Sequence, residues 1–280
     1  MGGVFILPPS ILFLCTLKMV VSMTVNRWRM IASICHVIVL SLFMSGSIAA
    51  WAYEEAMVSN GGTVTGTVQL YGEPPAPASF ELSRFPDRVY CGALSGGSGF
   101  RLLRTVTIGR NQGLKDVVVM IENVEKGKSF GLTETNLEAN VCQFIPFVSV
   151  MRENHPLIVK NLDPVSHDLQ FYERDQEHVF IMFHRPALTK SGTSDTIHFT
   201  GNRRSVIMQC GFHPYMQGHG LAVDNPYYAI TGMEGTFEIK DIPAGRYRIK
   251  AWHPTLGEKV QEMTVAANGT ASLEFNFEAK

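Results

Sequence analysis

The sequence predicts an all-β chain, and three stretches carry that expectation. From Gly61 onward, Val64, Gly66, Val68 and Leu70 alternate with Thr63, Thr65, Thr67 and Gln69, a period of two that sets one face against a core. Val117 to Ile121 is an unbroken apolar run of strand length, the pattern of a central strand covered on both faces. Between Gly235 and Pro254 two further alternating segments flank the turn Pro243-Ala244-Gly245. Phe237 and Ile239 share one face of the first, and Tyr247, Ile249 and Ala251 stand opposite Arg246, Arg248 and Lys250 in the second.

At the amino end, Asn26-Arg27-Trp28-Arg29 precedes the apolar run Ile31 to Ala50, and Ala50-Trp51-Ala52 offers a small-residue cleavage signal. That is the order of a secretory signal peptide, so residues 1–52 are expected to be a targeting segment and the mature chain to be periplasmic or extracellular. Met30 to Ala50 is also long enough to span a bilayer, and an uncleaved anchor is the one reading that involves a membrane. Met1 to Ser22 is a second apolar segment broken by Pro8-Pro9, which makes Met23 or Met30 alternative starts. The chain has 24 basic and 25 acidic residues, and cleavage removes Lys18, Arg27 and Arg29 but no acid. The absence of a basic excess argues against a nucleic-acid partner, and the low charged fraction of 18% argues against disorder.

The remaining elements follow in order. Gly72 to Pro77 breaks the first strand, since proline cannot continue a central one. Leu102 to Ile108 alternates again. Asn123 to Glu138 is polar, with at most a helical turn near Glu134 to Ala139. Cys142 to Val150 reads as a strand followed by the turn Glu153-Asn154-His155-Pro156. The β-branched run from Leu157 leads into a loop ending at His167, and Val179 to Phe183 is an apolar strand followed by a turn at Ser191 to Asp195. Val206 to Cys210 and Leu221 to Val223 flank a tight polar loop, Asp224-Asn225-Pro226 turns, and Val260 to Val265 and Ala271 to Phe277 complete the chain.

Chemistry concentrates in that tight loop. Cys210, His213 and Met216 place a thiolate, an imidazole and a thioether within seven residues, and His167 at the end of an upstream strand supplies a second imidazole. Two histidines, a cysteine and a weak axial methionine form the soft donor set of blue copper sites. A lone cysteine in an apolar strand reads as a small buried hydrophobe. Four donor types at matching spacings, on strand-loop-strand frames, point instead to a metal.

The Cys-x2-His-x2-Met spacing, with Pro214 after the histidine, resembles the ligand loop of the cupredoxins, and most closely that of the amicyanins. Asn161-x-Asp163-x3-His167 resembles their first-ligand segment, although the family commonly has Asn where Asp168 stands. The last fifty residues, with Gly-x-Phe-x-Ile and Pro-x-Gly-x-Tyr patterns, resemble carboxypeptidase regulatory-like, transthyretin-like modules. These resemblances imply a Greek-key cupredoxin-like sandwich over residues 61–224 and a small non-catalytic β-sandwich over 225–280, docked on the first because it is too small to bury much core.

They also imply one type 1 copper held by His167, Cys210, His213 and Met216, carrying single electrons through an exposed edge of His213. The partner would be a redox protein such as a c-type cytochrome or a copper- or quinone-linked oxidoreductase. No catalysis is expected, because a saturated ligand set leaves no position for substrate. Copper storage or delivery, and a structural β-sandwich without redox turnover, are the rival readings. His219, three residues beyond Met216, is the alternative ligand. His155, His178, His184 and His198 lack ligand spacing, and His253 beside Trp252 reads as partly exposed at a strand end.

Five cysteines are present, and Cys15 and Cys35 leave with the targeting segment. Of the remaining three, Cys210 has the ligand neighbours, so Cys91 and Cys142 are the expected disulfide of an oxidising compartment.

Overall fold

The computed structural model describes residues 53–174, 179–184, 187–198 and 205–279; the expected targeting segment and His178 lie outside them. Among the described residues no helix is long and apolar enough to cross a membrane. The strands in chain order are β1 (Glu54–Glu55), β2 (Gly62–Tyr71), β3 (Ala78–Glu81), β4 (Phe100–Leu103), β5 (Val118–Glu122), β6 (Lys126–Gly127), β7 (Thr135–Asn140), β8 (Gln143–Ile145), β9 (Val148–Arg152) and β10 (Pro156–Asn161). They continue as β11 (Leu169–Arg174), β12 (Val179–His184), β13 (Ser194–His198), β14 (Ser205–Cys210), β15 (Gln217–Val223), β16 (Tyr228–Ile230), β17 (Thr236–Ile242), β18 (Gly245–His253), β19 (Gly257–Val265) and β20 (Thr270–Glu278). One short helix, α1 (Arg88–Ala93), lies between β3 and β4. The fold is all-β.

Two sandwiches result. The outer one faces a sheet ordered β16-β5-β18-β19 against a sheet ordered β17-β2-β20. Its core takes Val64, Val68 and Leu70 from β2, Val119 and Ile121 from β5, Ile249 and Ala251 from β18, and Phe275 and Phe277 from β20. The expected boundary at 224/225 does not follow the sheets. β2 lies between β17 and β20, running parallel to β20 from Thr63↔Thr270 to Tyr71↔Glu278, and β5 lies between β16 and β18. The outer sandwich therefore draws strands from both sides of the segment that builds the inner one, and a sequence window of local patterns cannot see so distant a pairing.

The inner sandwich faces the sheet β12-β11-β14-β15-β9 against the sheet β13-β10-β7-β8. β7 occupies the stretch where a helical turn was expected: Leu137 and Ala139 are buried while Asn136 and Glu138 are not, a period of two carried by only two apolar residues. The expected strand from Leu102 to Ile108 shrinks to β4 and an isolated bridge between Ile108 and Leu114. β3 and β4 form a separate antiparallel ribbon, and with α1 they fold onto the inner core through Phe80, Leu82, Phe85, Tyr90 and Cys91. Cys91 is joined to Cys142 by a disulfide, Cα to Cα 5.8 Å, which ties this ribbon to the β7–β8 turn.

The two sandwiches meet along a third apolar cluster. Val118 and Met120 on β5 and Trp252 on β18 pack against Val148 and Val150 on β9 and Leu221 and Val223 on β15. This explains the unbroken run in β5, because its alternate residues serve two different cores. His219 stands on this back face of β15, edge-on to Phe147 at 5.1 Å. His253 is wholly buried, contrary to its expected partial exposure. Its Nδ1 accepts the amides of Thr255 (3.1 Å) and Leu256 (3.3 Å), and its buried Nε2 has no partner.

Burial lowers both histidines to a pKa of about 4, with the nearby His219 adding to the effect on His253. Protonating His253 would also set an N–H against two amide donors. Since the folded pKa lies below the unfolded value of about 6.5, this stability is fully present above pH 6.5 and is lost as pH falls toward 4. The loss is on the order of 3 kcal/mol per histidine at most. Urea denaturation of metal-free protein at pH 7 and 4.5 is expected to show that His253→Asn loses less stability on acidification than wild type; equal losses would remove His253 from the account.

Candidate metal centre

The first ligand is presented by a loop that its own polar residues close. Asn161, buried at the end of β10, donates Nδ2 to the carbonyls of Val165 (2.8 Å) and Leu188 (3.1 Å), and its Oδ1 accepts the amide of Asp163 at 2.9 Å. His167 then bridges Leu188 through both backbone groups, at 3.1 and 2.8 Å. On the other side, β14 carries Cys210 inward with Val206 and Met208, and the chain turns back at once. Met216 donates its amide to the His213 carbonyl (2.7 Å), and its own carbonyl accepts the Cys210 amide (3.1 Å). These bonds fix the ring of residues 210–216 and return the wholly buried Met216 to the apolar cluster that holds Cys210.

Asp168 ties the two ligand segments through its backbone. Its carbonyl accepts the Gly211 amide at 2.8 Å, and its amide points at Cys210 Sγ at 3.4 Å. Its carboxylate accepts from Gln170 Nε2 at 2.9 Å. A Cβ on Gly211 would sit 2.1 Å from that carboxylate and 2.3 Å from the Gln170 amide, so any larger residue there would displace this side-chain pair.

His167, Cys210 and His213 converge, and all three are fully buried. Cys210 Sγ lies 3.8 Å from His167 Nδ1 and 3.5 Å from His213 Nδ1, and the two Nδ1 atoms are 3.3 Å apart. The point equidistant from three atoms so spaced is about 2 Å from each, a first-row metal bond to imidazole nitrogen and close to one to thiolate. Behind the rings, His167 Nε2 lies 2.9 Å from Asp163 Oδ2 and His213 Nε2 lies 3.3 Å from Asp87 Oδ2. A proton on each Nε2 leaves two Nδ1 lone pairs converging beside a sulfur, an arrangement that calls for a cation. The residues present fit a single soft metal ion in a trigonal site.

Burial pushes the Cys210 thiol up, against donation from the amides of Asp168, His213 and Phe212. Burial, with His167 alongside, likewise lowers His213. Burial alone would raise the Asp163 carboxyl, but hydrogen bonds from His167, the Cys142 amide and Tyr90 together bring it below the usual carboxylate range.

His219 is not brought to this group. It is paired with Ile207, whose face is opposite that of Met208 and Cys210, so period two points it away from the three ligands. Among the described side chains, His155, His198 and His253 do not join the ligand group, and the His184 side chain lies outside them. The expected exposed edge of His213 is also absent. The ribbon and α1 cover it: Tyr215 lies 5.5 Å from its ring, Phe80 and Phe85 pack edge-on to Tyr215, and Asp87 closes the outer nitrogen. Asp87 was invisible to motif reading because it comes from a turn-rich segment far upstream. Asp163 stood within the quoted motif, but only the fold shows what its carboxylate holds.

No family model matches the chain, and no curated protein does. Among solved structures it is similar to a purple cupredoxin from Nitrosopumilus maritimus (16% identity, 32% of this chain and 99% of that one, TM-score 0.28). It is similar also to amicyanin from Paracoccus versutus (16%, 38% and 97%, 0.28). A copper-containing nitrite reductase from Thermus scotoductus SA-01 aligns with 20% identity over 32% of this chain and 22% of its own, TM-score 0.27. The structural neighbours are thus cupredoxins and a copper enzyme, aligned over about a third of this chain.

Proposed function

We propose that this chain is an exported type 1 copper protein that carries single electrons between redox partners. The observation that supports it is the buried triangle of His167 Nδ1, Cys210 Sγ and His213 Nδ1, with edges of 3.3, 3.5 and 3.8 Å. Bound there, copper supplies a one-electron couple and a strongly absorbing bond to the thiolate. His167, Cys210 and His213 would hold it, and the thioether of Met216 would add a weak fourth donor. Hydrogen bonds on both sides of the loop fix the donors before any metal arrives, so a change of oxidation state asks for little rearrangement. Full burial and the covering ribbon favour a resident metal over one handed on.

The partner, a c-type cytochrome or another redox protein, would meet the surface beside the cover, where Phe212 is 39% exposed and 6.4 Å from the His213 ring. The outer sandwich, whose last fifty residues carry the patterns of carboxypeptidase regulatory-like modules, would serve as a frame. Visible absorption and electron paramagnetic resonance of the Cu(II)-loaded chain test the reading. Intense colour with a narrow copper hyperfine splitting is expected, and a colourless form with ordinary tetragonal parameters would end it. Met216→Gln is expected to keep the metal and shift its potential, whereas His219→Ala should leave both spectra as they were. A potential unmoved in Met216→Gln would remove Met216 from the ligand set.

A further inference from the structure

Each histidine of the centre has an aspartate against its outer nitrogen, and the two carboxylates reach it from different parts of the fold. Asp163 is wholly buried. Its Oδ2 takes His167 Nε2 (2.9 Å) and the Cys142 amide (2.9 Å), and its Oδ1 takes the Val141 amide (2.7 Å) and the Tyr90 hydroxyl (3.0 Å). Asp87 precedes α1, where an aspartate ordinarily caps the helix through its side chain. Here it makes no cap bond, holds a left-handed backbone (φ 56°), and sets Oδ2 3.3 Å from the buried Nε2 of His213, which has no hydrogen-bond partner. The Asp87 side chain is 32% exposed. One crosslink stands behind both contacts: the Cys91 amide donates to the Asp87 carbonyl at 3.0 Å, and Cys142 donates to Asp163.

We propose that Asp163 and Asp87 are positioning residues that turn the Nδ1 atoms of His167 and His213 toward the metal and bias the site toward Cu(II) over Cu(I). This rests on reading the site as a copper centre. Asp163 holds the ring proton on His167 Nε2 by a hydrogen bond, and the Asp87 charge favours one on His213 Nε2, so each Nδ1 lone pair is left free, as it is by the outer partners of metal-bound histidines. A negative charge one imidazole ring away stabilises a doubly charged ion more than a singly charged one. Two such charges therefore hold the reduction potential down.

The test compares wild type with Asp87→Asn, Asp163→Asn and Asp87→Glu, measuring Cu(II) affinity, Cu(I) affinity and reduction potential. Asp87→Asn is expected to weaken Cu(II) binding by roughly tenfold or more and Cu(I) binding less, so that the potential rises, and Asp87→Glu to restore it. Asp163→Asn should shift it in the same direction; as Asp163 also anchors the hairpin, the Asp87 variants decide alone if that protein does not fold. A potential unchanged in Asp87→Asn, or equal losses in both oxidation states, would mean a merely structural contact and overturn the proposal. Wild type that binds copper without strong colour ends the electron-transfer reading while the same comparison still decides the carboxylates' role. A chain that binds no copper ends both.

Discussion

Cys210→Ser is expected to abolish the visible colour of the Cu(II)-loaded protein completely while leaving the fold in place. The sulfur is the one donor of the triangle that is anionic when bound to metal, and a serine hydroxyl at the same position stays protonated and presents a hard oxygen. Cys210 is fully buried at the end of β14, and its Sγ faces the Asp168 amide at 3.4 Å. A hydroxyl can accept the same donor, so the smaller side chain leaves no buried amide stranded and the cost in stability stays near 1–2 kcal/mol. Absorption spectra before and after Cu(II) addition, with far-ultraviolet circular dichroism as the control, give the answer. Colour retained in the variant would show that it does not come from this thiolate.

The second large effect concerns the crosslink. Cys91 and Cys142 are separated by 51 residues, and closing a loop of that size stabilises a fold by about 4 kcal/mol in the chain-entropy view. Cys91→Ala/Cys142→Ala is therefore expected to lose roughly 2–4 kcal/mol in urea unfolding. A second consequence is local. Asp87 immediately precedes α1, Phe80 lies on β3 and Phe85 between the two, so the cover over His213 loosens with them. Faster exchange of the bound metal with a chelator is expected in the double variant at temperatures where it is still folded. A loss under 1 kcal/mol with unchanged exchange would mean that the ribbon is held by its apolar contacts alone.

What could be read from the residues was what is local. Val64, Val68 and Leu70 announce β2 by alternation, and Val117 to Ile121 announces a doubly covered strand, because burial of adjacent residues requires two cores. The convergence of His167, Cys210 and His213 was legible because the cysteine and one histidine fall in a single loop and the other histidine follows a nearby strand. Its cover was not. α1 is six residues long, contains Val89, Tyr90 and Gly92, and has no side-chain cap, so nothing in its propensity marks a helix. Likewise the assignment of β2 and β5 to the outer sandwich depends on pairing across the whole chain, where short-range pattern carries no information.

The parallel pairing of β2 with β20 also sets an order of assembly. By Val223 the inner sandwich has all its strands, whereas the outer one still lacks five of its seven. The first strand of the outer sheet waits for a partner roughly two hundred residues later, and closing so long a loop makes non-local pairings slow. The inner sandwich is thus expected to fold first, inserted in a host that closes around it last. Pulse-labelled hydrogen exchange during refolding should find the amides of β14 and β15 protected before those of β2 and β20.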